Sequence, residues 1–131
     1  MDEETSLMTS KEFEDVVTEV LSALPDEFKV HLGNLLIVTQ DAPNDEQREI
    51  LHLRKYVRLY GLYQGVPLNF PGRDRMVRTP DTITIFRGTI LDSYSDVEGI
   101  KRQIRSTVLH EIGHYFGMSE MQLRQLQRKY R

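Results

Sequence analysis

The sequence predicts one small domain that mixes helices with a few strands, and three observations carry that prediction. Apolar residues recur at helical spacing over two stretches, residues 13–24 and 97–116. Residues Thr82 to Phe86 alternate Thr and Ile before ending on Phe, the period of a strand with one buried face. At 131 residues, 39% of them hydrophobic, the chain can bury a single core, so residues 1–131 are expected to form one unit.

Residues 1–8, MDEETSLM, read as a flexible acidic tail and lack the basic-then-apolar order of a signal peptide. No run approaches eighteen apolar residues, so neither a membrane span nor secretion is indicated and a cytoplasmic protein is expected. Thr9 with Glu12 forms a capping box ahead of Phe13, Val16, Val17, Val20, Leu21 and Leu24, an amphipathic helix ending near Pro25. Phe28 to Leu32 suits a short helix. Leu35 to Thr39 is a continuous β-capable run between Gly33-Asn34 and Asp41-Ala42-Pro43, and reads as a buried strand. Between Arg54 and Tyr63 the apolar residues fit either a strand or a short helix and turn. Three prolines (Pro67, Pro71, Pro80) and two glycines (Gly65, Gly72) then mark a long loop studded with basic residues.

A helix from Val97 to Phe116 follows, with Ser95 and Glu98 as its capping box. Val97, Ile104, Val108, Ile112 and Phe116, with Leu109 and Tyr115, fill one arc. His110 and His114 fall on the other side, with Gln103 and Ser106. Gly117 sits where a left-handed residue ends a helix, and Ser119 with Gln122 starts another over Leu123 and Leu126.

Within the long helix, His110-Glu111-Ile112-Gly113-His114 is an HExxH string. Two histidines four residues apart stand one turn above each other, so both imidazoles can reach one Zn²⁺ at about 2.0 to 2.1 Å. Glu111, bracketed by them, can take a proton from the attacking water and hand it to a leaving amine, which is the chemistry of a zinc metallopeptidase. Glu120 lies just beyond the turn. It is either a first-turn acid favoured by the helix dipole or a carboxylate that swings back to the metal as a third ligand. His31 and His52 lack partners at ligand spacing and read as surface or core residues. The chain has no cysteine, which excludes disulfides, thiolate zinc sites and a cysteine nucleophile. Tyr94, Tyr115 and Tyr130 are the phenols nearest the motif in sequence, and packing roles suit each better than oxyanion binding. The strand at Thr82 to Phe86 either offers its edge to an extended peptide or is interior with no free edge.

Charge is uneven. Acidic residues outnumber basic ones 13 to 3 in residues 1–50, whereas basic outnumber acidic 14 to 7 in residues 51–131. The simplest account is that an acidic N-terminal helix packs near the basic segments. The alternative is a surface for an acidic substrate or nucleic acid made by Arg54, Lys55, Arg58, Arg73, Arg75 and Arg78. No stacking aromatics interleave these charges at a known RNA-binding spacing, so no nucleic-acid partner is indicated.

The string HEIGHYFGMSEMQL resembles the C-terminal signature of the small bacterial zincin-like metallopeptidases called minimal zincins. The resemblance extends to SKEFEDVVTEVLSALPDEF, LYGLYQGVPL and PDTITIFRGTIL, and so covers most of the chain. It implies a compact α+β, zincin-like domain with a small sheet, an HExxH helix and a short C-terminal helix. It implies zinc on His110 and His114, Glu111 as general base, and an acidic third ligand at Glu120. The family pattern usually carries Asp where this chain has Glu120, and often His where it has Tyr115. The expected function is therefore a zinc metallopeptidase acting on peptides or unfolded protein segments. A zinc hydrolase of a non-peptide substrate, or a zinc-stabilised binding module without turnover, would carry the same residues.

Overall fold

Capping boxes punctuate the chain and divide it into short helices around one long one. In the computed structural model, which describes residues 6–52 and 58–130, Thr9 and Glu12 open helix α1 (Ser10–Ser22) by reciprocal hydrogen bonds. Phe13, Val16, Val17 and Val20 form its buried stripe. A single helical turn, α2 (Asp26–Lys29), and a 3-10 turn (Leu32–Asn34) replace the one short helix expected at Phe28 to Leu32. Strand β1 (Leu35–Gln40) leads to α3 (Asp45–Ile50), capped reciprocally by Asn44 and Gln47. Strand β2 (Gly61–Gln64) settles the ambiguous segment as strand at its end; its earlier residues 53–57 lie outside the described ones. After the expected long loop, with a 3-10 turn at Arg73–Arg75, come β3 (Asp81–Phe86) and α4 (Arg87–Ser93). Helix α5 (Val97–Phe116) and α6 (Glu120–Lys129) complete the chain.

The result is an α+β arrangement with a three-stranded sheet in the order β1-β3-β2. Strand β3 is central, parallel to β1 and antiparallel to β2, with Ile83 opposite both Ile37 and Tyr63. This corrects two expectations. Strand β3 is buried on both faces rather than one: Thr84 is as inaccessible as Ile83, Ile85 and Phe86. Paired with β1 on one side and β2 on the other, it has no edge to offer a peptide. Strand β1, expected to be buried, is an edge strand with Leu36 54% exposed.

Helix α5 is the pillar of the core. Helices α1, α4 and α6 and strands β2 and β3 all pack on it. Its buried residues include Ile100, Ile104, Val108, Leu109, Ile112 and Tyr115, so it is enclosed on more than one face. Its N-cap is Asp96, whose side chain accepts from the Gly99 N–H, and not Ser95 as the capping-box spacing suggested. The expected flexible tail at residues 1–8 does not extend to Met8. Met8 is buried in the core and its carbonyl accepts from Arg87, while residues 1–5 lie outside the described ones.

The loop between β2 and β3 is tied down at both ends. Arg73 makes a 2.5 Å ion pair with Asp81, and its Nε donates to the Val66 carbonyl at 2.8 Å. Asp81 also accepts from the Val66 N–H at 3.1 Å. With side chains only 16% and 1% exposed, this pair is sheltered from water, so deleting one partner leaves a buried charge unmatched. Arg73→Ala is therefore expected to lower unfolding free energy by about 3 kcal/mol in urea denaturation. Lys11→Ala, which removes the exposed Lys11–Asp15 pair, should leave the midpoint unchanged.

Candidate metal centre

Helical periodicity on α5 puts His110 and His114 one above the other, and their Nε2 atoms are 3.0 Å apart. The rings meet edge to face at 4.6 Å between centroids, both half-buried. Two nitrogens on one tetrahedral zinc, each about 2.0 to 2.1 Å from the ion, stand about 3.3 Å apart, so this pair fits the ion with little adjustment. Among the described residues, the group of possible metal ligands whose donor atoms all lie within 4.8 Å of one another is His110, Glu111 and His114. Burial, and then the neighbouring His114, lower the His110 pKa below its ordinary value, which favours the neutral imidazole that a metal requires.

Glu111 lies on the buried side of α5, facing β2 and only 7% exposed. Burial pushes its pKa up to about 7, while a hydrogen bond from the Tyr63 backbone N–H pulls in the opposite direction. Gly61 makes that approach possible. A Cβ there would come within 2.5 Å of Thr107 Cγ2 and 3.2 Å of Glu111 Cγ, so any side chain would push β2 away from the helix or displace the carboxylate.

The geometry of β2 decides which backbone groups remain open. The Phe86 N–H donates to the Tyr60 carbonyl at 2.9 Å, which places alternate residues, Leu62 and Gln64, in hydrogen-bonded pairs with β3. The polar groups of Gly61 and Tyr63 therefore face outward, where the Tyr63 N–H meets Glu111. A cleft of about 310 Å³ runs beside them, lined on one side by Arg58 to Gly61 and on the other by Ser106, Thr107, His110 and Glu111. The free edge beside the motif thus belongs to β2, not to the strand singled out from sequence. Period alone hid this, because β2 is only four residues long.

Gly117 ends α5 in the left-handed conformation, φ 75°, and its N–H and that of Met118 close back on the last turn. Ser119 and Gln122 then start α6 with the expected capping box. Glu120, its first residue, is exposed and is not in the ligand group, yet its charge acts on His110 and favours the protonated imidazole. The remaining histidines are remote in role. His31 is exposed and meets Phe116 edge-on, and His52 is exposed in a turn with φ 53°. Of the three phenols, Tyr115 donates to the His31 carbonyl and Tyr94 to Gln103, while Tyr130 packs against the core.

A mixed sheet under a long helix that carries HExxH, with a sharp turn after it, defines a zincin-like architecture. The chain belongs to the zincin-like metallopeptidase family, whose model matches residues 32–130. A conserved hypothetical protein from Thermus thermophilus is similar in structure, with a TM-score of 0.56 and 21% identity, over 83% of this chain and 94% of that one. At that identity the likeness is one of fold. No curated protein matches the sequence. No helix among the described residues is long and apolar enough to cross a membrane.

Glu111 gives the metal-free chain a pH signature. Its folded pKa, about 7, is above the ordinary 4.5, so the stability from its bound proton is complete below pH 4.5 and is lost as pH rises through 7. Glu111→Gln removes this dependence and keeps the lowered pKa of His110, which acts in the opposite sense. Urea unfolding of both metal-free proteins is expected to show the parent losing on the order of 3 kcal/mol relative to the variant between pH 4 and 8. A constant difference across that range would show that the carboxyl is not perturbed.

Proposed function

We propose that this chain is a zinc-dependent peptidase in which His110, His114 and Glu120 hold the ion and Glu111 is the general base. One observation carries the reading: imidazole nitrogens at chelating distance share a 4.8 Å group with a buried carboxylate, beside the open edge of β2. Bound there, zinc supplies a Lewis acid that activates water near neutral pH and polarises a carbonyl. Glu111 does the proton work, taking the proton of the attacking water and passing it to the leaving amine. Without the ion, burial holds this carboxyl up to about 7; a cation beside it would favour the ionised form that a base requires. An extended peptide pairs with the outward N–H and C=O of Gly61 and the C=O of Tyr63, which sets its main chain along the cleft.

Glu120 completes the ligand set by rotating its exposed side chain toward His110. The chain reverses at Gly117, and α6 begins on the side from which this charge already acts on His110. A Glu at this position reaches one methylene further than an Asp would. The substrate is a peptide or an unfolded protein segment, because a cleft of about 310 Å³ beside the free edge of β2 suits an extended chain.

The test combines zinc titration with a peptide-cleavage screen. The parent should bind one zinc, His110→Ala should lose it, and His31→Ala should keep it. Glu111→Gln should retain zinc while turnover falls at least about 100-fold. Glu120→Gln should weaken zinc binding well beyond the loss of a first-turn acid, which costs about 0.3 to 1 kcal/mol of stability and no zinc affinity. Equal zinc affinity in Glu120→Gln and the parent would remove Glu120 from the ligand set. Zinc binding without cleavage of any peptide would leave a zinc-stabilised binding module.

A further inference from the structure

The cleft beside His110 and Glu111 reaches two helical turns back along α5. Gln103 lines its far part and precedes His110 by seven residues, so the two stand within about 20° of one another around the helix and about 10 Å apart along it. Ser106 and Thr107 lie between them on the same wall. The hollow of about 450 Å³ between α5 and α6, where Arg102 and Arg105 sit, is a separate one. Gln127 donates to the Ser106 carbonyl and hydroxyl at 3.0 Å each, and this bridge between the two helices stands between the cavities.

The end of α4 fixes what stands at the far end of the cleft. Tyr94 donates through its hydroxyl to Gln103. Its neighbour Ser93 gives its own proton to the Thr89 carbonyl at 2.8 Å, so its oxygen accepts from both the Arg58 guanidinium and the Tyr60 hydroxyl. Arg58, ahead of β2, and Gln103, on α5, are thereby brought to the same end of the cleft from opposite walls. Of the residues lining it, Arg58 carries the fixed positive charge and Glu111 is the acid, and Gln103, Ser106 and Thr107 are uncharged. Arg58 is exposed, and among the described residues no carboxylate lies within ion-pair distance of it. Ser93 therefore positions the guanidinium without matching its charge. The other basic residues singled out in the sequence stand elsewhere. Arg73 is committed to Asp81, Arg78 donates to the Arg73 carbonyl, Arg75 is in the 3-10 turn of the long loop, and Arg54 and Lys55 lie outside the described residues.

We infer that the cleft takes a peptide bearing a carboxylate about three residues from the scissile bond, with Arg58 as the specificity-determining residue that receives it. This rests on the peptidase reading above and names its substrate class. The register follows from the two turns of α5: an extended peptide covers about 3.3 Å per residue, so about 10 Å between the motif and the far end is about three residues. A guanidinium has five N–H donors in a planar fork, and those not given to Ser93 suit the two oxygens of a carboxylate. Peptides carry that group as an Asp or Glu side chain or as a free C-terminus. A Lys or Arg side chain at the same place is repelled, and the exposure of Arg58 makes the preference sensitive to salt.

Two measurements on the full chain test this. In the first, metal-free protein is titrated with fluorescent peptides blocked at both ends, one neutral and two with a single Glu placed three residues before or after the centre, and with the neutral peptide given a free C-terminal carboxylate. In the second, zinc-loaded protein is offered the same peptides for cleavage. A carboxylate-bearing peptide should be preferred about fivefold to tenfold over the blocked neutral one at low salt, and the preference should shrink as salt rises. A preference confined to the Glu peptides assigns the carboxylate to a side chain, and one confined to the free terminus assigns it to a chain end; either supports the inference. Arg58→Gln should abolish the preference, Arg58→Lys should keep part of it, and Arg102→Gln, in the separate hollow, should leave it intact. Thermal melts and zinc titration confirm that each variant is folded and keeps the ion. Binding and cleavage blind to the carboxylate, or a preference that survives in Arg58→Gln, would overturn the inference and leave the peptidase reading standing. Carboxylate-selective binding that is lost in Arg58→Gln, with no peptide cleaved, would support the role of Arg58 and sink the peptidase.

Discussion

A carboxylate on the inward face of the central helix is the constraint around which the rest of this structure is arranged. Glu111 is buried among groups that otherwise build a core, and an isolated charge there is costly, so its proton is held up to about pH 7. Among the described residues the group that compensates it is the N–H of Tyr63 on β2. That bond requires β2 to be the outer strand on this side, because an inner strand would spend the same N–H on a neighbour. It also requires Gly61, since no side chain fits between that strand and Thr107. Strand order, a glycine and a perturbed acid are thus consequences of one placement.

The same helix is the pillar of the core and carries the HExxH histidines, and the two sets of residues are separated by angle. Ile104, Val108 and Ile112 follow the core period, while His110 and His114 follow a neighbouring line that stays half-exposed. The helix end is then fixed from outside. The Leu68 N–H donates to the Tyr115 carbonyl at 2.8 Å and Asn69 Nδ2 to the Gly117 carbonyl at 3.1 Å, so the long loop clasps the turn after the motif. Arg73 and Asp81 hold that loop against the sheet in turn. A buried ion pair some way from the motif therefore bears on the path of the chain between His114 and Glu120.

Much of this was legible because it is local. The limits of α5, the capping boxes of α1 and α6 and the left-handed Gly117 depend on residues within a few positions of one another, and the structure has each of them. Neighbour relations in the sheet are not local. A continuous apolar run such as Leu35 to Thr39 has the same signature at an edge as in the middle, and alternation at Thr82 to Phe86 says nothing of the second face, where Thr84 is buried by its surroundings. Helix α3 escaped notice because Gln47 is its one buried residue, leaving no apolar period to detect, although Asn44 and Gln47 carried the cap signal. At the site, His110, Glu111 and His114 were found by spacing alone, and the structure brings them together. Gly61 and Tyr63 were not, because their part depends on where β2 lies across from α5. Glu120 sits at the predicted turn with its side chain outside the ligand group, since backbone reversal is encoded locally and a side-chain rotamer is not.

The uneven charge of the chain acquires a spatial meaning only in the folded state. Helix α1 packs on α5, and the Glu12 pKa is lowered by its cap hydrogen bonds with Thr9 and, to a smaller extent, by Lys101 across that contact. Yet Lys101 is adjacent in sequence to Arg102, which lines the hollow between α5 and α6 instead. Successive helical residues point about 100° apart, so neighbours on α5 meet different partners, Lys101 on the side of α1 and Arg102 on the side of α6. The inner lines of α5 thus build the core, while its outer lines are divided among contacts with α1 and α6 and positions left open to solvent.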